Sequence, residues 1–229
     1  MKKNTTQNAN QNNNEKVVFS YLEGSIQELI NQSNHKSLFE LIELEKEIFR
    51  NYQNIEYKEY QKLLLQTLEK YTVSNPKVEY VIEYLKAKKP KIAVFPGTFN
   101  PFHVGHLSIL HKAEKIFDKV IIAMGANREK SKNLSDELFD DLKKQLPNHQ
   151  VEKYEGVLTE FINSFDYRVT VIRGLRNGSD LEYEFNLLRV LEDLNSEIDI
   201  VYIPCDRRYA HVSSSVVRQL DMLDKQIYR

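Results

Sequence analysis

The sequence predicts an α/β domain built on an open sheet of five parallel strands with helices on both faces, preceded by a small all-α domain. Two observations carry that prediction. Five short runs, KIAVF (91–95), KVIIAM (119–124), QVEKY (150–154), VTVIR (169–173) and IDIVYI (198–203), alternate with helical stretches near 105–117, 135–145, 157–165, 179–195 and 213–223. Strand–helix alternation at this spacing is the pattern of crossover units, which lay successive strands parallel. From Val17 to Lys89, by contrast, the only glycine is Gly24, the only proline is Pro76, and long-chain helix formers dominate.

Taken in order, the elements begin with MKKNTTQNANQNNNE, too polar to bury surface that would offset the entropy of ordering it. Residues 1–15 are therefore expected to be a disordered tail. A helical extension over 16–89 follows, with starts marked by chemistry. Ser25 with Glu28 and Ser37 with Glu40 have the spacing of reciprocal caps, and Pro76 follows Asn75 as a first helical residue would. Leu38, Leu41, Ile42, Ile48 and Phe49 recur on one helical face, and Leu63, Leu64, Leu68 and Tyr71 on another, which predicts three or four helices packed together.

The third segment, 90–229, carries the sheet, and its Rossmann-like alternation puts any ligand beyond the carboxyl ends of the strands. The unusual residues fall there, after Phe95, after Arg173 and after Ile203. The hydrophilic stretch NREKSKNLSDE (127–137) reads either as a loop over the site or as an ordinary solvated loop.

Composition narrows the classes. Hydrophobic residues at 41% and charged residues at 28% suit a chain with a packed core, and a formal net charge of −1 gives no global attraction for nucleic acid or an anionic membrane. One cysteine, Cys205, excludes an internal disulfide and a cysteine-rich zinc site; its place at a strand end predicts a buried or half-buried thiol. No apolar run approaches the ~20 residues of a membrane span, and no apolar core follows the two early lysines as in a secretory signal. A cytoplasmic protein is expected.

Three stretches carry chemistry. In AVFPGTFNPFHVGH (93–106), Gly97 is read as permitting a sharp turn, Thr98 offers a hydroxyl, and His106 opens a helix whose free N–H groups favour phosphate. His103 and His106 also form an H-x-x-H pair, but no third ligand for a metal lies nearby. In VIRGLRNGSDLEYEF (171–185), Arg173 and Arg176 put two cations at a strand end, and Ser179 with Glu182 predicts a further cap. In RRYAHVSSSVVRQL (207–220), three serines lead into a helix and supply a cap and phosphate donors.

PGTFNPFHVGH resembles the [T/H]-x-G-H signature of the nucleotidylyltransferase superfamily, and the other two stretches are similar to the phosphopantetheine adenylyltransferase family over about residues 91–222. The resemblance implies transfer of AMP from ATP to 4′-phosphopantetheine, giving dephospho-CoA and pyrophosphate, with Mg2+ accompanying ATP. It implies that His106 donates to the α-phosphate and that Thr98 touches both acceptor phosphate and nucleotide. Arg173 would hold the acceptor phosphate, and Leu158 would line the pantetheine channel. Phe99, Gly174, Leu175, Arg176, Glu184 and the run Tyr209, Ala210, His211, Val212, Ser213, Ser214 and Ser215 would form the ATP pocket.

Four positions depart from the family pattern. His103 replaces a usual threonine, Asn100 an aspartate and His211 an apolar residue, while Ser131 takes the place of the family's phosphate-binding lysine, a catalytic role that the resemblance passes to Lys130 or Lys132 by a one-residue slip. A related adenylyl- or cytidylyltransferase acting on another acceptor, such as nicotinate mononucleotide, is the alternative enzyme. A domain that binds nucleotide without turnover is the non-enzymatic one. The resemblance further implies a homo-oligomer, a hexamer in the family. It leaves the first 90 residues unaccounted for.

Overall fold

The computed structural model describes residues 20, 23–32, 36–51, 53–70, 76–125, 132–194 and 197–223, and the side chains of these except 76 and 132–135. The expected tail over 1–15 lies outside them. The chain divides into two compact units, Met1–Lys89 and Pro90–Arg229.

The first unit is helical: α1 (23–32), α2 (Leu38–Asn51), α3 (Tyr57–Glu69) and α4 (Pro76–Ala87). Ser37 and Glu40 make the reciprocal cap of α2, with the Ser37 N–H donating to Glu40 Oε2 at 2.7 Å and the Glu40 N–H to Ser37 Oγ at 3.3 Å. Ser25 lies inside α1 rather than at its start, because residues 23 and 24 are already helical. Glu56 caps α3 by accepting from the N–H groups of Lys58 and Glu59. Leu41, Phe49, Tyr60, Leu64 and Leu68 are fully buried, whereas Leu38 stays partly exposed. An ion pair sits within this apolar interior. Lys88 Nζ lies 3.1 Å from Glu45 Oε2, the Tyr60 hydroxyl donates to Glu45 Oε1 at 3.3 Å, and the ammonium stands over the Phe49 ring.

The second unit is a five-stranded parallel sheet in the order β3-β2-β1-β4-β5. The strands are β1 (Ile92–Gly97), β2 (Lys119–Gly125), β3 (Val151–Tyr154), β4 (Val169–Leu175) and β5 (Asp199–Pro204). Helices α5 (Val104–Ala113), α6 (Lys132–Gln145), α7 (Leu158–Asn163), α8 (Gly178–Leu194) and α9 (Ser214–Asp221) flank it. The central strands β1 and β2 are buried on both faces, which is why IAVF and VIIAM read as unbroken apolar runs. Winding goes outward from β1 to β3, then returns across the sheet to β4 and β5. The reversal leaves a crevice at the carboxyl ends of β1 and β4.

The stretch 127–137 is corrected in part: α6 begins at Lys132, so its second half is helical, and its first half lies outside the described residues. Among the described residues, no helix is long and apolar enough to cross a membrane.

Candidate active site

The first wall of the crevice is the turn from β1 into α5. The helix starts at Val104, two residues before His106, because His103 is its N-cap. The His103 Nδ1 accepts the Gly105 N–H at 3.1 Å, and His106 sends its own Nδ1 back to accept the His103 N–H at 3.3 Å. Two imidazoles thus play the parts that a serine and a glutamate play in the usual capping box. Their rings stack, with centroids 3.7 Å apart. Since each Nδ1 accepts, each neutral ring carries its hydrogen on Nε2.

Neutrality is also enforced. Burial, then the Arg176 charge, lowers His103 to about 4, and burial, then His103, then Arg176, lowers His106 to about 3. Aromatic rings supply much of that burial. Phe99 meets His106 edge-on at 5.2 Å, and Phe102 lies 5.4 Å away. Phe99 is held at φ 43°, the left-handed region that L side chains rarely adopt, and this turns its ring under His106 until it is 3% exposed. The reason for Gly97 differs from the expected turn: it ends β1, and a Cβ there would stand 2.8 Å from the Phe99 ring.

The second wall comes from the end of β4 and the start of α8. Arg173 donates from Nε and Nη2 to the two oxygens of Glu184, at 2.7 and 2.6 Å. Arg176 does the same to Asp180, at 2.8 and 2.9 Å. Asn177, not Ser179, caps α8, its Oδ1 accepting the Asp180 N–H at 2.9 Å. At Gly174, where β4 touches α5, a Cβ would lie 2.2 Å from Ile109 Cδ1, so any side chain there would have to displace the end of Ile109.

The third wall follows β5. The Cys205 N–H donates to Leu175 O at 2.7 Å, and the Asp206 N–H to Ser108 Oγ at 3.1 Å, which sets the course of the chain into the short 3-10 turn Arg207–Tyr209. Ser213 caps α9 by accepting the Val216 N–H. The Ser214 hydroxyl donates to Pro101 O at 3.3 Å, and Arg218 donates to Asn100 O and to Ser215 Oγ, so α9 is fastened to the turn after β1.

These walls enclose one cleft of about 500 Å³. His106, Phe99, Arg173, Gly174, Arg176 and Glu184 line it, as do Ser213, Ser214 and Ser215. Thr98 is exposed between Gly97 and Phe99, which both line the cleft, but is not itself part of the lining. Leu158, Leu175, Tyr209, Ala210, His211 and Val212 are also outside the lining, and Val212 is fully buried. Lys130 lies outside the described residues. Lys132 opens α6, and its side chain is not described.

Among the lining residues that the sequence reading did not assign to the site are four with polar side chains, His103, Asp180, Tyr183 and Cys205. The i,i+4 spacing of Arg176 and Asp180 was the available signal for one of them. Cys205 is half-buried, and burial raises its thiol pKa, so it is not an activated nucleophile. Among the described residues, no group of three metal-ligating side chains converges. Both carboxylates lining the cleft are clamped by arginine, so the described lining does not form a cage for a divalent cation.

A helix-start histidine held neutral, two arginines and a serine-capped helix around one crevice define a phosphate-handling α/β domain of the nucleotidyltransferase kind. The family model for cytidylyltransferase-like proteins matches residues 94–220, more than half of the chain, and the chain belongs to that family. Within it, the chain is similar to curated phosphopantetheine adenylyltransferases. It is 39% identical over 132 residues to that of Nautilia profundicola (56% of this chain, 85% of that protein). The corresponding figures are 35% over 135 residues for that of Clostridium tetani (57% and 84%) and 33% over 138 residues for that of Rhodopirellula baltica (58% and 76%).

Proposed function

We propose that the protein transfers the adenylyl group of ATP to the phosphate of 4′-phosphopantetheine, forming dephospho-CoA and releasing pyrophosphate. One observation carries the reading: the neutral, Nε2-protonated His106 shares a single cleft with Arg173, Arg176 and Ser213–Ser215. The acceptor phosphate is already a nucleophile, so a strong base is unnecessary. Its oxygen forms a bond to the α-phosphorus as the bond from that phosphorus to the β-bridging oxygen breaks, and pyrophosphate leaves with the electron pair. Catalysis is then positioning and stabilisation of charge on the five-coordinate phosphorus.

In this reading the His106 Nε2–H donates to an α-phosphate oxygen without needing a proton from solvent, and Thr98 orients the acceptor phosphate beside it. Arg173, with its Nε–Nη2 edge held by Glu184, offers Nη1 to the acceptor phosphate. Arg176 and the serine-capped start of α9 take the nucleotide phosphates. Phe99, Gly174, Leu175, Glu184 and the Tyr209–Val212 segment shape the nucleotide side, and Leu158 lines the path of the pantetheine arm. Either Lys130 or Lys132 supplies the phosphate-binding ammonium. Mg2+ accompanying ATP would neutralise charge on the triphosphate, while Arg173, Arg176 and the start of α9 would hold the phosphates themselves. A cytoplasmic homo-oligomer completes the reading.

The test is pyrophosphate release from ATP across a panel of phosphorylated acceptors. Turnover with 4′-phosphopantetheine well above that with nicotinate mononucleotide supports the proposal, and the reverse order overturns it. Stabilisation by ATP with no product from any acceptor would leave a binding domain instead.

A further inference from the structure

We infer that Asp180 is a positioning residue for nucleotide binding, which holds the Arg176 guanidinium in the cleft in the one orientation that meets the nucleotide phosphates. The inference rests on the adenylyl-transfer reading above and names a determinant that the motifs do not.

Arg176 lies one residue beyond β4 and is exposed. A side chain of that length loses about 2 kcal/mol of rotamer entropy when fixed, so a free Arg176 would be spread over many orientations. Asp180 fixes it at both ends. Its carboxylate takes the Nε and Nη2 donors, and Oδ2 also accepts the backbone N–H of Arg176 at 2.9 Å. Asp180 is itself set by the cap of α8, through the bond from its N–H to Asn177 Oδ1. One carboxylate in the first turn of a helix thereby determines where the chain leaves β4 and where the cation points.

The device is repeated one helical turn on, where Glu184 clamps Arg173 by the same two nitrogens. Asp180 and Glu184 are i and i+4, so they share a face of α8, and both line the cleft. The two pairs cancel in charge. The arginines therefore act on a polyanion as directed Nη1 donors rather than as net positive charge, which makes orientation the quantity that Asp180 controls. Arg176 is also close enough to lower the pKa of both His103 and His106, which puts the clamp beside the residue proposed to meet the α-phosphate.

A double-mutant cycle on the full chain tests this, reading ATP affinity by calorimetry for wild type, Asp180→Asn, Arg176→Ala and the double variant. Asp180→Asn should weaken ATP about tenfold or more, the scale of a lost charge-assisted hydrogen bond. It should cause no further loss once Arg176 is alanine, because it acts through that side chain. The KM for the acceptor should stay within about twofold, and Asp180→Glu should recover part of the affinity. Equal or tighter ATP binding by Asp180→Asn would overturn the inference and make Asp180 a counter-charge that loosens the polyanion. A full further loss on top of Arg176→Ala would also overturn it, by making Asp180 merely structural. Absence of turnover with 4′-phosphopantetheine would remove the acceptor reading, yet the ATP cycle would still decide the role of Asp180.

Discussion

The stacked histidines should make the catalytic unit acid-sensitive in a way that can be traced to two rings. Each pKa falls in the folded state, from 6.5 to about 4 for His103 and about 3 for His106. Between those values and 6.5 the unfolded chain binds more protons than the folded one. Stability therefore falls as pH drops through that window and is flat above about pH 7.5. Each ring forfeits about 1.4 kcal/mol per pH unit below 6.5, hence about 2 kcal/mol at pH 5 and up to about 4 kcal/mol for the pair. The perturbation is the double variant His103→Asn, His106→Gln, which keeps a side-chain acceptor at each capping position but cannot titrate. Urea unfolding of both proteins at pH 7.5 and pH 5.0 gives two losses, and the helical unit, common to both, cancels in their difference. Wild type should lose about 2–4 kcal/mol more than the variant. Equal losses would refute the neutral stacked pair, and with it the assignment of His106 as an Nε2–H donor that needs no proton from solvent.

Other expectations follow from single contacts. His106→Ala should cut pyrophosphate release by two or more orders of magnitude while leaving the circular dichroism spectrum intact, and near-normal turnover would exclude it from the transition state. Gly174→Ala should destabilise by about 1–3 kcal/mol, since the new methyl meets Ile109 Cδ1; Ile109→Val, which removes that carbon, should restore much of the loss in a thermal melt. In the helical unit, Glu45→Gln leaves the Lys88 ammonium buried without its counter-charge and should cost about 3–5 kcal/mol in denaturant unfolding. Glu45→Met with Lys88→Met should recover most of that loss, and no recovery would show that Tyr60 and the other partners of Glu45 matter more than the pair.

Much of the sheet was legible because burial on both faces writes itself into β1 and β2 as continuous apolar runs, and crossover spacing leaves little else for such runs to form. Helix starts were less legible, for a physical reason. Asn177–Asp180 and Ser179–Glu182 are two overlapping capping registers of equal local quality. The first is adopted because the Asp180 carboxylate also reaches the backbone and guanidinium of Arg176, contacts that Glu182 does not make. Ser25 failed for a related reason, since capping spacing also arises inside a helix when the chain before it can stay helical. The stretch 127–137 misled because its polarity hid the start of α6 at Lys132.

The site shows the same division between what residue type reveals and what geometry adds. Histidine, arginine and serine in the segments that follow the strands announce phosphate chemistry, but their pairing depends on how closely α8 and α5 approach β4. Gly174 permits the approach of α5, and the clamps on Arg173 and Arg176 fix that of α8. His103 carries the point furthest. As a departure from the family threonine it weakened the motif on paper, yet an imidazole Nδ1 caps the helix as a hydroxyl would. It adds a ring that stacks on His106 and discourages its protonation. The substitution thus preserves the cap and reinforces the protonation state that donation to phosphate requires, so a departure in letters leaves the chemistry of the position in place.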